Sequence, residues 1–113
     1  MTTRWATIGP YQSIQHIKAK NKKVGRFFFQ PETMRFFHSC VEEQVYGGRL
    51  FITSECYGRG HPRLYTIREA LDNGDIFTAG KFQEYETLEQ AVTAARALVD
   101  AAMFGGEEVT DDE

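Results

Sequence analysis

The chain has 113 residues, a formal net charge of −3 and 26% charged residues. That length suits one domain with one real core. Its two cysteines are too few for a disulfide framework, and no apolar run approaches the ~20 residues of a membrane span.

The first residues are polar and lack the apolar run of a secretory leader. A reducing cytoplasm is therefore the expected compartment. Residues 1–25 read as a partly ordered basic arm, as termini commonly are. Within it Tyr11, Ile14 and Ile17 are spaced as one face of a short helix after Pro10. Lys18 to Lys23 reads as a basic linker, and Trp5 and Ile8 either tuck against the core or stay free. The folded domain is expected over residues 26–104.

Phe27, Phe28 and Phe29 form a short apolar run. Pro31 then stands where proline favours a helix start, with Met34, Phe37 and Val41 along one side of that helix. Gly47-Gly48 breaks the chain. Residues 41–46 form either a loop or a further strand hairpinned through those glycines. Leu50 to Glu55, Arg63 to Arg68 and Asp75 to Gly80 are strand-like runs. Between the last two lies Asp72-Asn73-Gly74-Asp75, where Asn-Gly predicts a type I′ hairpin.

The strongest periodic signal is the last. Leu88, Ala91, Val92, Ala95, Val99, Ala102 and Met103 recur at helical spacing. Thr87 and Gln90 form a capping-box pattern before them, and Gly105-Gly106 supply a stop. Residues 105–113, with five acids and little to bury, read as a disordered acidic tail. The predicted fold class is α+β. A three-stranded antiparallel sheet, four-stranded if residues 41–46 add a strand, packs against a short N-terminal helix and a C-terminal amphipathic helix. The order is α-β-β-β-α, and both helices are expected on one face.

This element order, over residues 31–103, resembles the double-stranded-RNA-binding domain. In that family lysines at the start of the final helix grip phosphates. Here the matching segment is Glu84-Tyr85-Glu86-Thr87-Leu88-Glu89-Gln90, which is acidic, so the likeness does not carry RNA binding with it. A three-stranded sheet followed by a helix also resembles plant-type and integrase-arm DNA-binding domains, which read the major groove with the exposed sheet face. The runs Arg26 to Phe37, Phe51 to Glu55, Pro62 to Arg68 and Gly80 to Tyr85 resemble a small family of uncharacterised bacteriophage proteins. That resemblance implies an accessory role in the host cytoplasm and supplies no catalytic residues.

Charge is segregated. Residues 1–35 hold seven bases and one acid, a balance of +6, and residues 36–113 carry −9. Such asymmetry points to a charged partner or to internal pairing. The candidate binding residues are Lys18, Lys20, Lys22, Lys23 and Arg26, with Arg59, Arg63 and Arg68 extending the patch beside Tyr57 and His61.

Other constellations are weaker. His38, Cys40, Cys56 and His61 are zinc-ligand types, but their spacing lacks the tight pairs of zinc sites. The same residues show no activated thiol. Glu42, Glu43 and Glu55 read as a solvated acidic face rather than paired catalytic carboxylates. Gly58-Arg59-Gly60 is too short to cradle a phosphate. Most aromatic residues belong in the core, while an exposed set such as Phe27, Phe28, Phe36 and Tyr46 would favour a protein interface.

The expected function is a non-enzymatic accessory protein that needs no cofactor or metal and docks onto a host or viral protein. The alternative is a nucleic-acid-binding module built on the basic arm and the strand arginines. A homodimer through a sheet edge is compatible with either.

Overall fold

The computed structural model describes residues 9–102. Trp5, Ile8, the Gly105-Gly106 stop and the acidic tail lie outside the described residues. The elements are α1 (Ile14–Lys23), α2 (Pro31–Phe36), β1 (Cys40–Val41), β2 (Leu50–Cys56), β3 (Arg63–Ala70), β4 (Ile76–Thr78) and α3 (Leu88–Asp100). The four strands form one antiparallel sheet in the order β1-β2-β3-β4.

The predicted α+β class holds. The placement of the Pro31 helix and the C-terminal helix on one face does not: α2 lies over Glu55 and Arg68 on the face opposite α3, and α1 joins it there. Leu50, Phe51 and Ile52 are consecutive and all buried. Successive strand side chains point to opposite faces, so both faces of β2 need cover. On one face Leu50, Ile52 and Ile67 pack against Ala91 and Ala95 of α3. On the other, Phe51 and Ala70 pack against Tyr11, Ile14 and Ile17. Fully burying an isoleucine contributes about 1.5–3 kcal/mol. The α1 segment is therefore held by its own share of the core.

Residues 9–25 are consequently part of the domain and not an arm. Ser13 caps α1, its hydroxyl accepting from the His16 N–H at 3.2 Å. Ile14, Ile17 and Asn21 form the inward stripe. Asn21 donates to the Gly74 carbonyl at 2.8 Å, tying the last turn of α1 to the β3–β4 connection. Upstream, the Gly9 and Tyr11 N–H groups donate to Gly47 O and Gly48 O, both at 3.0 Å. At Gly48, with φ +70°, an added Cβ would stand 2.2 Å from the Gly9 oxygen. Only glycine allows the two segments to run that close.

The β3–β4 hairpin forms where Asn73-Gly74 predicted it, with a different turn. Gly74 has φ +95° whereas Asn73 does not enter the left-handed region. Gly74 N–H donates to Leu71 O at 2.9 Å, and Leu71 N–H to Asp75 O at 2.8 Å. This is the three-residue loop in which glycine follows a type I turn, rather than type I′. At the other edge, β1 pairs Cys40 and Val41 with Ser54 and Thr53, and Tyr46 bridges to Leu50. Residues 41–46 thus give a minimal fourth strand and a bridge around Gly47-Gly48.

Thr87 caps α3 as its spacing predicted, accepting from the Gln90 N–H at 3.1 Å. Gln90 reaches back to the Glu86 N–H at 3.0 Å. Before this helix, Tyr85 bridges to Tyr65. That bridge brings Phe82 and Gln83 to the sheet, where the candidate site lies.

Candidate functional site

On the face opposite α3, period-2 alternation places polar residues where a core would continue. Thr53 and Glu55 of β2 lie on the same face as Thr66 and Arg68 of β3, with Thr53 opposite Thr66 and Phe51 opposite Arg68. Thr53, Glu55 and Thr66 are fully buried. Buried polar groups are stable only when they bond one another. Glu55 Oε2 accepts from Arg68 Nη2 at 2.9 Å and from the Thr53 hydroxyl, and Oε1 accepts from the Thr66 hydroxyl at 2.8 Å. Arg68 Nε donates to Thr53 Oγ1 at 3.0 Å and Nη1 to Thr78 Oγ1 at 2.7 Å. Three of the five guanidinium N–H groups are thereby engaged among the described residues.

Gln83 closes this network from above. Its backbone N–H donates to Thr66 Oγ1 at 2.8 Å, and its side chain to the Glu55 carbonyl at 3.0 Å. Its φ of +59° is uncommon for a residue with a side chain, and these two bonds hold it there. The Arg68 guanidinium lies between the rings of Phe28 and Phe82, with centroids at 5.2 and 5.5 Å. Such stacking favours a cation that has left water.

Over this floor, α2 forms a roof and leaves a cleft of about 480 Å³, walled by Phe28, Met34, Phe36, Phe37 and Phe82. None of the six residues of α2 is buried. Beyond the helix, the Phe37 carbonyl accepts from the Cys56 N–H at 2.8 Å, and Thr33 bonds back to Phe27 O at 2.7 Å. Phe37 meets Phe36, Tyr57 and Phe82 with ring centroids 4.6, 5.1 and 5.4 Å away. Phe36 is 76% exposed and Tyr57 57% exposed. The arrangement offers apolar, aromatic contact area around a fixed cation.

The eight predicted basic residues do not form one patch. Lys18, Lys22 and Arg26 share a groove beside Phe29. The stem of Lys20 is turned towards Gly74, and Lys23 is exposed at the end of α1. Arg59 is exposed in the β2–β3 loop. Arg63 lies on the α3 face and donates to Ser54 O and Oγ at 3.1 and 2.9 Å. Arg68 is interior, paired to Glu55, with a side chain only 13% exposed. A strand arginine bonded in this way cannot extend a surface patch.

Glu55 corrects the reading of a solvated acidic face, since it is 1% exposed. Of the aromatic set expected at an interface, Phe27 and Phe36 are exposed. Phe28 is half-buried against Phe51, and Tyr46 packs towards α3. Cys56 Sγ bonds within its own loop to Gly58 O and His61 O, both at 3.3 Å. Among the described residues no three His, Cys, Asp or Glu side chains converge as metal ligands. No helix among them is long and apolar enough to cross a membrane.

The sequence reading missed the Glu55–Arg68 pair. A signal was present: Thr53, Glu55, Thr66 and Arg68 alternate with apolar or buried positions on two adjacent runs. Only the register shows that they meet. No curated protein and no solved structure matches the chain. Residues 13–96, spanning α1 through most of α3, match the family model of DUF7447, and the chain belongs to that family, a family of unknown function.

Proposed function

We propose that the protein is a non-enzymatic accessory protein that docks onto another protein through the aromatic cleft between α2 and the sheet. The observation that carries this is the ring series in which exposed Phe36 and Tyr57 flank half-buried Phe37 beside Phe82. Rings left half in water give large contact area at little conformational cost, which is why aromatic residues anchor interfaces. Arg68 at the floor adds donors able to hold a backbone carbonyl of the partner. The partner is a host or viral protein in the host cytoplasm. That part of the proposal rests on the resemblance of the Arg26–Phe37 and Pro62–Arg68 runs to phage proteins.

The test is parallel affinity capture with the wild type, Phe36→Ser and Tyr57→Ser, followed by direct titration of the captured protein in purified form. Both substitutions leave the core untouched and should keep the melting temperature. They should weaken the purified interaction about tenfold or more. Equal binding by all three would remove the cleft from the interface. Concentration-dependent sedimentation reports whether a second copy, pairing through β1 or β4, is the partner instead.

A further inference from the structure

We propose that the groove along α1, which adjoins the α2 cleft at Glu32 but carries its own cations, is a binding site for single-stranded nucleic acid. Lys18 and Lys22 are one helical turn apart and project to the same side of α1. Arg26 continues their line, and the three cations share a groove of about 440 Å³. Lys18 lies 5.8 Å from the centroid of Phe29, which forms part of the groove wall. Next along the chain, Phe27 is 63% exposed and lines an adjoining cleft with Arg26.

The charges of the groove are uneven in sign. Arg26 is paired through Nε with Asp75 at 2.5 Å, a contact that leaves its other donors available and fixes its direction. Glu32 is the one carboxylate on the groove itself. Against it stand Lys18, Lys22 and Arg26, with Lys20 and Lys23 on the same helix and no acid in α1. The surface therefore attracts an anion.

The exposed ring decides which anion. An acidic peptide would satisfy the lysines and leave Phe27 in water. A duplex would present phosphates but keep its base faces stacked inside. An unpaired strand supplies both, a phosphate at each step and a free base face to stack on the ring. The net charge of −3 and the acidic α3 side further disfavour a broad duplex footprint.

The experiment is fluorescence anisotropy on the full chain, with short labelled oligothymidylate, oligouridylate and a duplex of equal length across a salt series. Both single strands should bind more tightly than the duplex, and a preference between them identifies DNA or RNA as the ligand. Lys18→Ala/Lys22→Ala should reduce the slope of log affinity against log salt by about 1.4, near 0.7 for each phosphate lost. Phe27→Ala should weaken binding about tenfold with little change of slope, and Phe27→Trp should restore it. Lys81→Ala, elsewhere on the surface, should have no effect. All four altered positions are exposed, so unchanged melting curves should accompany these results. Failure of both single strands to bind at low salt, duplex binding as tight as the tighter single strand, or an unaltered affinity for Phe27→Ala would overturn the proposal. None of these outcomes depends on the α2 cleft.

Discussion

Replacing Arg68 by methionine is the sharpest probe of the site. Methionine retains an apolar stem to lie between Phe28 and Phe82 but removes the charge and every donor. Two hydrogen bonds to the Thr53 and Thr78 hydroxyls are lost, at about 1 kcal/mol each. The greater cost falls on the Glu55 carboxylate, 1% exposed, which is left without its counter-charge and with only the Thr53 and Thr66 hydroxyls. Breaking a buried pair from one side costs about 3–5 kcal/mol in total. Against a usual domain stability of about 5–15 kcal/mol, that is a large fraction. In urea unfolding followed by circular dichroism, the midpoint should fall by about 2 M. Glu55→Gln/Arg68→Met should be more stable than Arg68→Met alone, since a neutral amide replaces the stranded charge. A single-variant cost below about 1 kcal/mol, or strictly additive effects in the double-mutant cycle, would contradict this account and show that water reaches the pair.

Two further outcomes test how the N-terminal segment is held. Ile17→Ala should cost about 2–5 kcal/mol, because Ile17 is 1% exposed and packs in one cluster with Phe51 and Ala70; near-neutral stability would mean that α1 is only loosely attached. Tyr11 donates its hydroxyl to Leu71 O at 2.6 Å, and burial, helped by Asp72 and opposed by Arg49, raises its pKa above the usual value of 10.0. The folded state thus holds that proton more tightly than the unfolded chain. Its contribution is complete below pH 10 and declines as pH rises through the higher folded value. Thermal unfolding of the wild type should therefore become more alkaline-sensitive than that of Tyr11→Phe in this window, and parallel curves would disprove the assignment.

The candidate site was less legible in the sequence than the fold around it. Arg68 reads as a surface base because charge is usually solvated, and Glu55 as a surface acid for the same reason. They sit 13 residues apart, and nothing local says that they meet. The α1 lysines obscure a stripe of Ile14, Ile17 and Asn21 that faces inward, so a packed helix reads as a basic arm. The exposure of Phe36 and Phe27 is equally unreadable, because an apolar run looks the same whether or not another element covers it.

Features closed within a few residues were fixed locally. Thr87 and Gln90 set the start of α3, Pro31 the start of α2, and Asn73-Gly74 the place of the hairpin. The alanine-rich stripe from Ala91 to Ala95 set the face that α3 buries. Each follows from backbone torsions and capping bonds formed between near neighbours. The assignment of faces belongs instead to the assembled core. The unbroken Leu50-Phe51-Ile52 run requires cover on both sides, but which helix goes to which side depends on every element packed there. The strand register, set by that same packing, then brings Glu55 to Arg68 and places both beneath α2.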